Sequence, residues 1–403
     1  MKILFVTPYI PSLIRVRPYQ FIRALAQRHE VSVLASSLGG EPHDVAELQA
    51  LCRRVVIVPF RLAAGVRSCA TAVLRGDPLQ AAIGQSAEFD RQLDVLLARE
   101  RYDVVHIEHL RAAGLHTRVP ENTPAVFDAV DCISLLLERT LHSSHSLRQR
   151  LVALLELHRT RVYESRLLAR FHGVAVTSAA DARALQTLAP AANVRVVPNG
   201  VDLDYFRPLA GGHEPDTLVF SGKMSYHANA TAVIYFVRHI LPLIRRERPG
   251  VRLRIVGSRP PRAVQGLARD PAITVTGYVP DIREPLGRSA VAICPITVKV
   301  GIQNKLLEAM AMGVPVVSTA AGVEGLAARP GRELLVGDDP AAFAAHVCRL
   351  LAEPALRAAL GGAGRRFVET QHRWDRAASQ LESLYVAARD RATQPGAPAL
   401  VDA

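Results

Sequence analysis

What most constrains this chain is an alternation that runs through it twice: short β-branched runs separated by longer stretches with helical periodicity. In the first series the runs fall at 3–7, 30–35, 55–59, 104–107, 125–128, 173–177 and 194–197, with helical patterns such as 19–28 and 88–101 between them. In the second they fall at 217–221, 252–256, 273–276, 291–294 and 315–319, interleaved with helical stretches at 229–248, 282–288, 303–312 and 340–351 and followed by one at 374–389. Strands that are apolar along their length and separated by helices pair in parallel, because parallel pairing needs a crossover and the crossovers cover both faces. The expected fold class is therefore α/β, with two Rossmann-like, doubly wound parallel-sheet domains facing each other across a cleft. The segment VVPNGVDLDYFRP (196–208), with an Asn199-Gly200 turn and two prolines, reads as the hinge. Expected limits are 1–205 for the first domain and 206–372 for the second. The helix near 373–390 packs back on the first domain, and 392–403, rich in Pro, Gly and Ala, forms a disordered tail.

With 49% apolar and 21% charged residues, 403 residues suffice for two substantial cores. No run approaches the roughly 18 apolar residues that would span a bilayer. The opening ILFV stretch breaks at Thr7-Pro8, too short for a secretory segment, and reads as a buried first strand. Five cysteines (52, 69, 132, 294, 348) are scattered without a C-x-x-C, so neither a disulfide framework nor a zinc site is expected, and the expected location is cytoplasmic. The net charge of +12 is divided evenly between the two halves, which excludes a basic tail and favours anionic partners. At 5% aromatics, with arginine evenly spread, nucleic acid is not among them. The stretch 139–170 carries arginines at 139, 148, 150, 159, 161, 166 and 170 between leucines, against Glu156 and Glu164. It reads either as a helix pair covering its own sheet with a solvated basic face, or as a surface resting on acidic lipid at the inner face of the cell membrane.

In open parallel sheets ligands bind beyond the carboxyl ends of the strands. After the first strand, TPYIPSLIRVRPYQ (7–20) lacks G-x-G-x-x-G but sets Arg15 and Arg17 before a helix start, where an acceptor or another anion can be held. HIEHLR (106–111) and FDAVDCIS (127–134) place Glu108, His109, Asp128 and Asp131 at neighbouring strand ends, able to bond sugar hydroxyls or move a proton. The plainer alternatives are a core histidine at His106 and an N-cap at Asp131. In the second half, LVFSGKMSYHANA (218–230) ends a strand in a small-residue turn bearing Lys223, a point charge suited to a diphosphate. CPITVKVGIQNKLLEAMAMGVPVVST (294–319) supplies Gly301 for close approach and amides at Ile302, Gln303 and Asn304 at a helix start. Lys305 and Glu308 follow, the carboxylate suited to paired ribose hydroxyls. The alternative there is a capped helix with an i,i+3 Lys305–Glu308 surface pair. Asp202 and Asp204 form a D-x-D string but read as turn residues, not metal ligands.

GIQNKLLEAMAMGVPVVST resembles the C-terminal signature of the retaining, nucleotide-sugar-dependent GT-B glycosyltransferases of family four. The order of PNGVDLDYF, the GKM turn, RIVGS, TVTGYVPDI and the EAM helix is similar to that family over most of the chain, and HIEHLR with FDAVDCIS looks like a bacterial subgroup. The resemblance implies a donor bound mainly by the second domain and an acceptor mainly by the first. Gly222 and Lys223 match its diphosphate turn, Gly301 to Asn304 the loop contacting diphosphate and sugar, Tyr278 and Val279 the loop beside the base, and Glu308 the ribose-binding glutamate. It also implies a metal-independent transfer without cofactor, from a nucleoside diphosphate sugar to a saccharide, a lipid-linked sugar or a small-molecule aglycone. The acceptor hydroxyl attacks on the leaving-group face and the diphosphate takes the proton, leaving Glu108, His109 and Asp131 as positioning residues and Lys223 on the leaving group. A nucleotide-sugar epimerase of the same build and a non-catalytic homologue are the alternatives.

The chain departs from that pattern at four places. Val300 stands where the family has a second glutamate, Asn229 where it has a second cation, Ile14 to Arg17 in place of a glycine pair, and Glu108 in place of a cleft histidine. Lys299 or Lys305 is the expected substitute for the missing cation.

Overall fold

The computed structural model describes residues 1–37, 42–60, 72, 76–82, 86–143, 147–297 and 301–393, with side chains at all but 42–44 and 143. Val300, Lys299, Cys69 and most of the expected tail lie outside the described residues.

The chain divides into two compact units, Met1–Pro198 with Trp374–Ala403, and Asn199–Arg373. The boundary falls at 198, ahead of the expected 205, because the backbone from Asn199 is tied to the far end of the second unit. Val201 N–H donates to His372 O at 2.8 Å and Val201 bridges Arg373 in parallel, while the His372 ring bonds the Asn199 carbonyl through Nδ1 at 2.8 Å.

The first unit is a seven-stranded parallel sheet: β1 (Lys2–Thr7), β2 (Glu30–Ser37), β3 (Arg54–Pro59), β4 (Val104–Glu108), β5 (Ala125–Val130), β6 (Gly173–Val176) and β7 (Val194–Val196), in the order β3-β2-β1-β4-β5-β6-β7. The second is six-stranded: β8 (Glu214–Ser221), β9 (Arg252–Val256), β10 (Ile273–Gly277), β11 (Ser289–Cys294), β12 (Val316–Ser318) and β13 (Leu335–Val336), in the order β10-β9-β8-β11-β12-β13. Both sheets thus follow the 3-2-1-4-5-6 pattern, with strand order reversing between β1 and β4 and between β8 and β11. At such a switch point the helices leave to opposite faces and open a crevice at the strand ends.

Cores lie on both faces of each sheet, as strands such as β4 and β11, buried at every residue, require. The terminal helix Trp374–Thr393 completes the first unit. Trp374 packs edge-on against Phe21 at 5.4 Å, and the Tyr385 hydroxyl bonds Nδ1 of the buried His106 at 2.9 Å. The single helix expected over 229–248 is interrupted: α-helix His227–Tyr235 passes through a π turn at Phe236–Ile240 into Leu241–Glu247. Pro242 in its first turn lacks the N–H that would continue the i→i−4 ladder.

Candidate functional site

In the first unit the switch point gathers the ends of β1, β4 and β5. Glu108 and Asp128 are register partners on β4 and β5, so two carboxyl groups lie side by side with essentially no exposure. Each is handled differently. Asp128 takes Arg17 in a buried bidentate pair, Nε–Oδ2 2.8 Å and Nη2–Oδ1 3.0 Å, and the remaining Arg17 nitrogen donates to Val197 O at 2.9 Å. Glu108 accepts from the Tyr9 hydroxyl at 2.7 Å through Oε1 and leaves Oε2 buried without a partner. Burial first, then the charge of Asp128, pushes its carboxyl up to about 8, so it carries a proton at neutral pH.

The acceptor role expected of Arg17 and Asp128 is therefore corrected: both are closed on one another inside the unit, and they hold the helix Val16–Leu25 to β5. The residues left at the surface here are Arg15, exposed, with its guanidinium 4.5 Å over the Tyr9 ring, and half-buried His109 and Asp131. His109 and Val130 both have positive φ, 66° and 65°, and sit at the ends of neighbouring strands. A β-branched residue in that region is strained, and such strain concentrates where a chain must turn sharply to present a site. His109 Nδ1 accepts from Arg111 N at 3.3 Å, and burial pulls its ring down to about 4, fixing a neutral imidazole. Asp131 receives Thr177 Oγ1 at 3.4 Å, and burial, then Asp181, raises it to about 6. It is not the cap of helix Ile133–Ser143: the Asp181 carboxylate accepts from Cys132 N, and Glu164 from Ile133 N and Ser134 N. His106 is the expected core histidine, stacked on Phe5 at 4.0 Å.

In the second unit the ends of β8 and β11 meet around Gly222. Its φ is +144°, and a Cβ there would stand 2.8 Å from Asn229 Nδ2 and 3.2 Å from Lys305 Cε. Gly257, at φ +152°, lets the end of β9 press on the same turn; a Cβ would come 1.8 Å from Gly222 O. Lys223 is exposed, and its carbonyl accepts from Asn229 Nδ2 at 3.0 Å. The helix Asn304–Ala311 starts beside this turn with no side chain capping it; Leu306 N turns back to Gln303 O at 2.9 Å, and the amides ahead of it are among the donors that a helix cannot use itself. Gln303 bonds Gly301 O at 3.1 Å, and Asn199 Nδ2 donates to Asn304 Oδ1 at 3.1 Å, which fixes the loop's entry into the helix.

Lys305 does not pair with Glu308. Its ammonium lies 4.6 Å over the Phe220 ring and donates to Asn229 and, at 3.4 Å, to Gln303. The Lys305 ammonium thus stands against the Asn229 side chain. Burial lowers the Lys305 ammonium, and burial raises Glu308 to about 7 with Lys305 opposing. Tyr278, largely exposed, and Val279 follow the Gly277 turn at the end of β10. Asp202 binds Asp204 N and Tyr205 N through Oδ1, the turn role expected of it.

Sequence reasoning missed Tyr9 and Gly257 and read Asn199 only as a hinge turn. Gly257 left a signal, a glycine immediately after a strand in RIVGS.

Residues 15–205 match the family model described as Glycosyltransferase Family 4, and residues 215–353 the model described as Glycosyl transferases group 1. The GDP-mannose-dependent alpha-(1-6)-phosphatidylinositol monomannoside mannosyltransferase of Mycobacterium tuberculosis is 29% identical over 232 residues, 51% of this chain and 59% of that protein. The D-inositol 3-phosphate glycosyltransferase of Actinosynnema mirum is 32% identical over 229 residues, 49% of this chain and 53% of that one. The chain thus spans about half the length of the curated relatives it matches. Among solved structures, sucrose-phosphate synthase from Thermosynechococcus elongatus superposes with a TM-score of 0.74 at 19% identity, covering 96% of this chain and 98% of that one. Anabaena HepE in complex with UDP and glucose gives 0.67 at 14% identity, covering 95% and 98%. At such identities the likeness concerns the fold.

Proposed function

The chain belongs to the family-four glycosyltransferases of the GT-B fold, and from that premise we propose that it moves a sugar from a nucleoside diphosphate sugar to an acceptor hydroxyl with retention of anomeric configuration. The observation that carries the reading is the convergence on Gly222 of two lysines, Lys223 and Lys305, and the uncapped start of helix Asn304–Ala311. A departing diphosphate needs fixed positive charge and aimed N–H groups, which stabilise it without reorganisation at the moment of transfer. In this reading Glu308 holds the ribose hydroxyls, Tyr278 and Val279 lie beside the base, and Gly301 to Asn304 meet the diphosphate and sugar. The transfer needs no protein nucleophile and no metal: the acceptor hydroxyl attacks on the leaving-group face and its proton passes to the diphosphate. His109, Asp131 and Arg15 then orient the acceptor, with Glu108 acting through Tyr9.

The relatives set the order of trial: GDP-mannose first among donors, UDP sugars next, and inositol-based acceptors, lipid-linked or phosphorylated, before other saccharides and aglycones. The test is a thermal-shift screen of the full chain with UDP, GDP, ADP and dTDP and their sugars. One nucleoside diphosphate should raise the melting point, by about 2.7 kcal/mol of stabilisation at a hundredfold excess over its Kd. No shift with any of them would remove the reading. Product formed from the donor without an acceptor would favour an epimerase instead.

A further inference from the structure

The helix Leu147–Leu168 is built inside out. The residues it turns into the first unit are small or polar: Ala153, Glu156, Thr160 and Glu164 are buried, followed by Leu167 and Leu168 at its end. The two glutamates serve as backbone acceptors, Glu156 for Leu79 N at 2.8 Å and Glu164 for Ile133 N at 2.8 Å and Ser134 N at 3.2 Å. The leucines of its first half point the other way. Leu147 is 80% exposed, Leu151 58%, Leu154 63% and Leu155 61%, in a protein whose large apolar residues are otherwise mostly buried.

At 3.6 residues per turn these four leucines fall in a sector of about 100° opposite the buried face. Arg148 and Arg159 flank it on one side, Arg150 and Arg161 on the other. Arg159 and Arg161 have acidic neighbours in Glu156 and Glu138, whereas Arg148 and Arg150 have no ion pair among the described residues. Between 147 and 155 there is no acidic residue. A leucine ridge rimmed on both sides by guanidinium groups is complementary to one kind of surface, in which acyl chains lie just beneath anionic head groups. Arginine stems reach outward past the apolar stripe while their charge stays in the head-group layer.

We propose that the face Leu147, Leu151, Leu154 and Leu155, with Arg148 and Arg150, docks on an anionic phospholipid bilayer and holds the first unit at the membrane surface. This goes beyond the glycosyl-transfer reading and does not depend on it, since neither donor nor acceptor chemistry enters the argument.

The experiment is co-sedimentation of the full chain with vesicles of phosphatidylcholine alone and of phosphatidylcholine with phosphatidylglycerol, at low and at physiological salt. Expected is binding to the phosphatidylglycerol vesicles only, weakened by salt. Arg148→Gln with Arg150→Gln should lower the partition coefficient roughly thirtyfold. Leu151→Ser with Leu155→Ser should abolish binding while leaving the melting temperature nearly unchanged, because those side chains are mostly exposed. Variants that bind as wild type overturn the proposal. So does a wild-type chain that ignores vesicles and dimerises in sedimentation equilibrium while the leucine variant stays monomeric, for the face would then belong to a second copy.

Discussion

Lys305 and Asn229, 76 residues apart in sequence, are joined by a hydrogen bond from the ammonium to the side-chain oxygen, directly against the glycine turn at Gly222. The geometry keeps an ammonium at the Gly222 turn although position 229 is an uncharged amide. Among the described residues the ammonium makes no direct ion pair, and Glu308 acts on it only through its field. Lys305→Met keeps an unbranched side chain and removes the charge together with the bonds to Asn229 and Gln303. Charge-assisted hydrogen bonds of this kind contribute about 1.5–3 kcal/mol. Nucleoside diphosphate affinity, measured by calorimetry, should therefore fall roughly ten- to a hundredfold, while affinity for the bare nucleoside stays the same. The variant should be no less stable than wild type, since it no longer buries an ammonium. Unchanged diphosphate affinity would exclude Lys305 as the substitute cation.

Arg17 and Asp128 form the opposite case, an ion pair whose two charges satisfy each other. With side-chain exposures of 6% and 0% the pair is fully withdrawn from water, and removing one partner strands the other. Asp128→Ala should cost about 3–5 kcal/mol in urea unfolding of the full chain, whereas Arg17→Met combined with Asp128→Leu should cost far less than the sum of the two single variants. A direct acceptor-binding role would show the reverse: single variants of near-normal stability with a raised acceptor KM.

These two pairs explain what could be read from the sequence and what could not. Strand positions and their parallel pairing follow from local apolar runs, and the strand ends that carry chemistry follow from the topology. So the pattern alone puts Glu108 and Asp128 near the ends of β4 and β5, His109 and Lys223 just past β4 and β8, and Glu308 on the helix Asn304–Ala311, where they stand. Whether a residue at a strand end faces solvent or a register partner is a long-range property. Glu108 and Asp128 become neighbours only when β4 and β5 align, and Arg17 reaches Asp128 across 111 residues of sequence. Tyr9 carried no signal because a tyrosine two residues past a strand is unremarkable until Glu108 lies beneath it. The helix Pro354–Gln371 went unread for a local reason. Gly361, Gly362 and Gly364 look like breakers, yet a Cβ at Gly361 would stand 2.0 Å from Gly313 O. Gly361 and Gly364 allow close packing against the end of helix Asn304–Ala311 and the turn after it; they do not stop the helix.

The paired carboxyls also set a pH response whose sign can be worked out. Glu108 is raised from 4.5 to about 8 by burial and by Asp128. Between those values the native state holds a proton that the unfolded chain has released, so Glu108 lowers stability progressively as pH rises through that window. Above about 8 both states are ionised and the full penalty applies. His106 acts in the other direction. Burial lowers it from 6.5 to about 4, so the unfolded chain binds the extra proton between those values and stability is lost as pH falls through them. The two effects oppose each other below pH 6.5, and Glu308, raised to about 7, adds a decline of the same sign up to that value, which leaves the decline from 7 to 8 as the mark of Glu108. Glu108→Gln still accepts from the Tyr9 hydroxyl and cannot ionise. Its melting temperature should lie close to that of wild type at pH 5 and exceed it by several degrees at pH 9, a gain of a few kcal/mol. A difference that stays flat with pH would mean that Glu108 is ionised throughout, and that the bond from Tyr9 and the unpartnered Oε2 do not reflect a protonated carboxyl.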